Sequence, residues 1–196
     1  MIHYWLQAVE ETLTANIKTG GGVTYIAPVA EFIDDPEHNI LVMPDGQPAA
    51  VGGDLFVAIH PGMSMNLAAD KYGDVIEETY EIFCTVSKRT RNSPEDRVGR
   101  ALFIETTASL TRVAQSVQDS IANVAAVKTA VESLITAESA SGSVTELLRW
   151  SRTSQPVPRD KSWFMSNDPY DLDLQPAGYS CEITFVGGTI IRETGC

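Results

Sequence analysis

The strongest constraint in this sequence is a change of period that occurs twice. Between residues 75 and 88, Tyr80, Ile82, Cys84 and Val86 fall on one phase and Thr79, Glu81, Thr85 and Ser87 on the other, with Phe83 as the exception. Successive side chains of a strand point to opposite faces, so the segment predicts a half-exposed β-strand. Then Leu110, Val113, Val117, Ile121, Val124, Val131 and Leu134 recur at spacings that predict a long helical region. Alternation returns where Tyr179, Cys181, Ile183 and Phe185 oppose Ser180, Glu182 and Thr184, ahead of Gly187 and Gly188. An apolar helical stripe between two such strands is buried most simply against one face of the sheet they form.

The other segments extend this pattern. Ile2, Trp5, Leu6, Val9, Leu13 and Ile17 make one apolar stripe over residues 2–17, an amphipathic helix that Gly20, Gly21 and Gly22 end. Residues 23–53 carry short apolar runs, Val23 to Val29 and Ile40 to Met43, between turn signals at Asp34-Asp35-Pro36 and Pro44-Asp45-Gly46, and predict short strands and loops. The run LFVAI after Asp54 is continuously apolar up to His60-Pro61-Gly62, as in a strand buried on both faces. Ser93-Pro94-Glu95-Asp96 reads as a helix start, with Ser93 capping and Pro94 in the first turn. Gly99, the Thr106-Thr107 pair and Asn123 are candidate break points in the long helical region, which stops at Ser139 to Ser143. Strand-like segments follow from Leu147 to Trp150, through Pro156-Val157-Pro158, to Trp163-Phe164-Met165. The reading is one α+β domain over residues 1–196, a mixed or antiparallel sheet packed against an N-terminal helix and a long central helix.

Charge narrows the function. Fourteen Lys and Arg against 26 Asp and Glu give a net charge of −12. A nucleic-acid binder gains affinity by neutralising phosphates with cations, and an anionic membrane surface attracts basic segments, so both are disfavoured. The first residues lack a basic leader and place Glu10 and Glu11 where a signal peptide keeps an apolar run. With no stretch of about 20 uncharged apolar residues, a soluble protein is expected. Cys84, Cys181 and Cys196 have no ligand or redox spacing, and the first two lie on apolar phases, so they read as free thiols in a reducing compartment.

Catalytic and metal chemistry are not apparent. His3, His38 and His60 stand far apart without HExxH, and the acidic groups Asp34 to His38 and Asp168, Asp171 and Asp173 lack the Ca²⁺-loop spacing. Gly62 to Asn66 lacks the closing glycine of a GxSxG elbow. No cofactor or metal is expected, and a structural or interaction protein is expected rather than an enzyme. A small-ligand or hydrolytic domain using His60 at a strand end is the competing reading. One stretch stands out as basic: Lys88, Arg89, Arg91, Arg97 and Arg100, across a strand-to-helix loop. It is either a solvated loop or a docking loop whose guanidinium groups pair with carboxylates of a neighbouring copy.

Four segments, GGDLFVAIHPG (52–62), SKRTRNSPEDRVGR (87–100), LLRWS (147–151) and GYSCEITFVGGTII (178–191), together resemble the tail terminator, or tail completion, proteins and related minor tail proteins of long-tailed bacteriophages. The resemblance implies a virion protein assembled in the host cytoplasm, forming a ring, typically a hexamer. Such a ring caps the head-proximal end of the tail tube, stops its polymerisation and presents the surface on which the neck docks. Its partners would be the tail tube protein and a neck or connector protein, with DNA passing through the lumen without specific binding. A head-tail stopper or adaptor is the alternative within the same class.

Overall fold

The two alternating segments become neighbours. Strands β4 (Val75–Arg89) and β8 (Gly178–Glu193) pair antiparallel along nearly their full length, with Ile82 opposite Phe185, Cys84 opposite Ile183 and Val86 opposite Cys181. The computed structural model describes residues 2–19, 40–43, 55–62, 66–69, 75–89, 100–122, 124–138, 142–146, 148–159, 163 and 178–193. The remaining elements are helices α1 (Ile2–Thr19), α2 (Arg100–Ala122) and α3 (Val124–Ala137) and strands β1 (Ile40–Val42), β2 (Leu55–Pro61), β3 (Asn66–Ala69), β5 (Ser143–Glu146), β6 (Arg149–Thr153) and β7 (Val157–Arg159).

The sheet runs β1-β2-β4-β8-β5. Strand β3 continues the β2 side of β4, and β6 and β7 continue the β5 side of β8. Among the described strands, only β1 and β2 pair parallel. This is the α+β architecture that the sequence predicts.

One core joins the helices to one face of the sheet. Leu55, Val57 and Ile59 of β2, Tyr80, Ile82, Cys84 and Val86 of β4, and Cys181, Ile183 and Phe185 of β8 meet Trp5, Val9 and Leu13 of α1, Leu110, Val113 and Val117 of α2, and Val127 and Val131 of α3. Each large aliphatic side chain buried in this way contributes roughly 1.5–3 kcal/mol. Helix α2 also turns serines inward. Ser116 and Ser120 donate to the carbonyls of Arg112 and Ser116 over 3.0 and 2.7 Å, which satisfies hydroxyls that would otherwise be costly to bury.

The other face departs from expectation. Strand β4 was expected to be half-exposed, yet Thr85 and Ser87, on its polar phase, are only 4% and 0% exposed. Their neighbours Phe56 and Ala58, paired with Ser87 and Thr85, are buried as well. Trp163 closes over this end, its Nε1 donating to Ser87 Oγ over 3.1 Å. Polarity in a strand signals water only when no other side chain supplies the hydrogen bond.

Helix α2 runs to Ala122 and α3 begins at Val124, with the candidate break point Asn123 outside the described residues, and α2 passes through Thr106 and Thr107 without interruption. Helix α3 ends at Ala137, and Ser143, expected in the flexible stop, opens β5. The proposed helix start at Ser93, the break point Gly99, the glycines at 20–22, the turns at 34–36 and 44–46, and residues 164 and 165 lie outside the described residues.

Candidate functional site

The two edges that the described strands leave are chemically unlike. At one edge, the segment from Arg149 to Arg159 carries three arginines and no acidic residue. Arg149 and Trp150 pair with Val186 and Phe185 of β8, the register shifts at the next residue, and Arg152 and Thr153 pair with Thr184 and Ile183. The shift places Arg152 on the face opposite Trp150, because one extra residue inverts a strand's alternation. Thr153 therefore points to the helices and accepts from Gln118 of α2, while the Arg152 Nε reaches Thr184 Oγ1 over 3.5 Å on the other face.

Pairing survives the break between β6 and β7. The Ser154 amide donates to the Glu182 carbonyl over 2.8 Å, and the Glu182 amide donates back to Ser154 Oγ at the same distance. Beyond it, Arg159 Nε donates to Ser180 Oγ over 2.6 Å and its guanidinium lies 3.9 Å from the centre of the Trp163 ring. Two apolar side chains of this segment lie on opposite faces: Trp150 shares the helix face with Phe185 and donates its Nε1 to Thr153 Oγ1 over 3.1 Å, while Val157 lies opposite Ser180. Trp150 is 54% exposed and Val157 42%, among the few large hydrophobic residues that are. A row of strand backbone with exposed aromatic and basic side chains is a surface suited to another protein chain.

At the opposite edge, α1 and β1 flank an open groove of about 700 Å³. Leu6, Ile40 and Val42 give it an apolar lining, and Glu10 and Glu11 bring carboxylates to it. Gln7 Nε2 donates to Glu11 Oε1 over 3.1 Å. Burial pushes the Glu10 carboxyl above its ordinary value; the Val42 amide, hydrogen-bonded to it, pulls it back, and the charge of Glu11 pushes it up again. The lower end of the same helix is tied to the end of α3, where Tyr4 Oη donates to Glu138 Oε2 over 2.8 Å and His3 Nε2 lies 3.7 Å from the same oxygen.

Of the basic residues expected to form a docking loop, Lys88 belongs to β4 and its Nζ donates to Ser109 Oγ of α2 over 2.7 Å. Arg89 ends β4 and Arg100 begins α2, while Arg91 and Arg97 lie outside the described residues. The expectation of a single basic stretch is corrected: the arginines at 149, 152 and 159 form a second group, gathered at one edge by pairing with β8. Its signal in the sequence was the absence of acidic residues from RWSRTSQPVPR.

His60 Nε2 lies 3.1 Å from Thr85 Oγ1, and the His60 ring meets Phe83 edge-on at 5.2 Å, so the histidine is held within the second face of the sheet. Cys84 and Cys181 are buried free thiols. Burial pushes Cys181 up to about 11 and Cys84 further in the same direction. The acidic groups around 34–38 and 168–173, with His38 and Cys196, lie outside the described residues. Among the described residues no helix is long and apolar enough to cross a membrane, and no group of three His, Cys, Asp or Glu side chains converges on a metal position. No protein-family model and no curated protein matches the chain.

Proposed function

We propose that this chain is a structural virion subunit that assembles into a ring, a hexamer as in the proteins it resembles, at the head-proximal end of a phage tail tube. The ring ends tube polymerisation and offers the docking surface for the neck. The observation that carries this reading is the asymmetry of the sheet, with an acidic groove at the α1–β1 edge and a basic, aromatic edge at β6–β7. A closed ring of identical subunits uses unlike surfaces in this way, each copy offering one and receiving the other. The α+β architecture agrees with the four segments that resemble tail terminators, which occupy β2, the passage from β4 to α2, β6 and β8.

The net charge of −12 suits a ring around a channel, since carboxylates facing a lumen repel phosphate and let DNA pass without adhering. Termination then needs no chemistry. One face of the ring matches the exposed end of the tube and the other does not, so the next tube ring finds no contacts. The Lys88 to Arg100 region supplies a further docking contact, and Arg89→Glu with Arg91→Glu should leave the chain folded while weakening assembly or capping.

Electron microscopy of tails assembled with and without the protein tests the reading. Its loss should give overlong, headless tubes. Tails of normal length lacking only heads would favour a stopper or adaptor in the neck, and normal infectious particles would overturn both.

A further inference from the structure

The two edges are guarded against a further strand by different means. Along β6 and β7, the register shift beyond Trp150, the prolines Pro156 and Pro158 and three arginines all discourage one. Strand β1 reads Ile40-Leu41-Val42, without charge or proline, and among the described residues it pairs with β2 alone. Its guard comes from α1. The Met43 amide donates to the Ile59 carbonyl over 2.8 Å, and because neighbouring amides of a strand point to opposite sides, the Val42 amide points away from β2, where the Glu10 carboxylate accepts it. We infer that the α1–β1 groove receives an extended segment of another protein, carrying both apolar and basic residues on one phase of its strand, which lies along β1 and takes the Val42 amide over from Glu10. This goes beyond the ring reading and does not rest on it.

Geometry sets the shape of the occupant. Ile40 and Val42 lie on one phase of β1; Ile40 is buried in the core and Val42 is 36% exposed, and both line the groove with Leu6, Glu10 and Glu11. A strand added about 4.8 Å outside β1 runs along this groove, so every second side chain enters it and the others do not. Those that enter meet two kinds of surface. Leu6 and Val42 suit apolar side chains. Glu10 and Glu11 suit cations: burial and the neighbouring carboxylate both hold the Glu10 carboxyl above its ordinary value, and an ammonium or guanidinium beside it favours the charged form. The incoming backbone carbonyl keeps the Val42 amide bonded while Glu10 turns to the cation, so the exchange leaves no backbone donor unpaired. Main-chain pairing of this kind supplies affinity, and the side chains that enter the groove supply specificity.

Fluorescence anisotropy of labelled peptides titrated with the full chain tests this. The first probe is a short capped peptide with valine and lysine in turn at every second position and serine between them. The second has the same composition, with its valines on one strand phase and its lysines on the other. Their equal charge makes their general attraction to an acidic protein alike. The first should bind roughly tenfold more tightly or better, and Glu10→Gln with Glu11→Gln should erase that preference, as should Val42→Ser. Saturation with the first peptide should also shift the Val42 amide resonance of an isotope-labelled chain and slow its hydrogen exchange. The peptide comparison and the Val42 amide are read on the unaltered chain, so neither depends on how the variants fold. Equal binding of the two peptides, a preference that survives the substitutions, or an unmoved Val42 amide would each overturn the proposal. Self-association of the unaltered chain that Glu10→Gln with Glu11→Gln abolishes, read by sedimentation velocity, would seat a second copy in the groove and overturn it as well.

Discussion

Gly62 and Glu81 touch backbone to backbone. The Gly62 amide donates to the Glu81 carbonyl over 2.7 Å, and a Cβ at Gly62 would come 2.7 Å from the Glu81 Cβ and 2.9 Å from its carbonyl oxygen. The approach occurs where β2 leaves β4, beside the register shift between Tyr80 and Glu81 in the β4–β8 pairing. The Glu81 Cγ can turn aside, but its Cβ and its carbonyl are fixed by the backbone of the sheet. Gly62→Ala should therefore cost about 1–3 kcal/mol, measured by urea unfolding with an unchanged m-value.

Ser87 and Trp163 are 76 residues apart in sequence and hydrogen-bonded in the fold. Ser87→Ala removes the acceptor at a fully buried position and should cost about 1 kcal/mol. The near-isosteric change should leave the circular dichroism spectrum unaltered, and a loss of stability below a few tenths of a kcal/mol would show that Trp163 covers the sheet without needing this bond.

These two pairs mark how far the sequence can be read. Tyr80, Ile82, Cys84 and Val86 were legible as one buried phase because alternation is a local property, and Leu55 to Ile59 because a continuous apolar run has no wet side. Thr85 and Ser87 were misread as solvent-facing because the side chain that covers Ser87 lies far along the chain. The basic edge was missed for a related reason: Arg149, Arg152 and Arg159 are spaced among Trp, Ser and Pro, and only pairing with β8 collects them at one edge. The acidic groove was half visible, since Glu10 and Glu11 stood out on the α1 wheel, but the approach of Ile40 and Val42 that makes a groove of it is tertiary.

Cys84 and Cys181 should resist thiol reagents in the native protein. Both are buried, and burial holds each thiol protonated well above neutral pH, whereas the thiolate is the reacting species. In a Cys196→Ser background, labelling should follow the opening of the sheet, rising with denaturant as unfolding does. Rapid labelling of either cysteine without denaturant would contradict the packing of β4 against β8.

Tyr4 links stability to alkaline pH. Its hydrogen bond to Glu138 raises the phenol above its ordinary value, aided by burial and by the carboxylate's charge. The folded chain therefore keeps a proton that the unfolded chain has already released. The stabilisation is complete below the ordinary tyrosine value near 10 and is lost as pH rises through the folded one. Tyr4→Phe should lower the thermal midpoint at neutral pH and flatten the decline above pH 10, as read by thermal melts across that range.

Among the described residues, β5, β6 and β7 have no strand partner except β8, and β8 follows all three in the sequence. During synthesis the three short strands emerge before the strand that organises them, and β4 waits with one side unpaired while two helices are made. Closing the sheet joins residues about as far apart as Val86 and Cys181, so the entropy of a long loop must be overcome before most of the strand pairing is gained. Folding should accordingly be governed by the arrival of β8, and the interval before it is when β4 and the tryptophan-bearing edge are open to pairing with a neighbouring nascent chain.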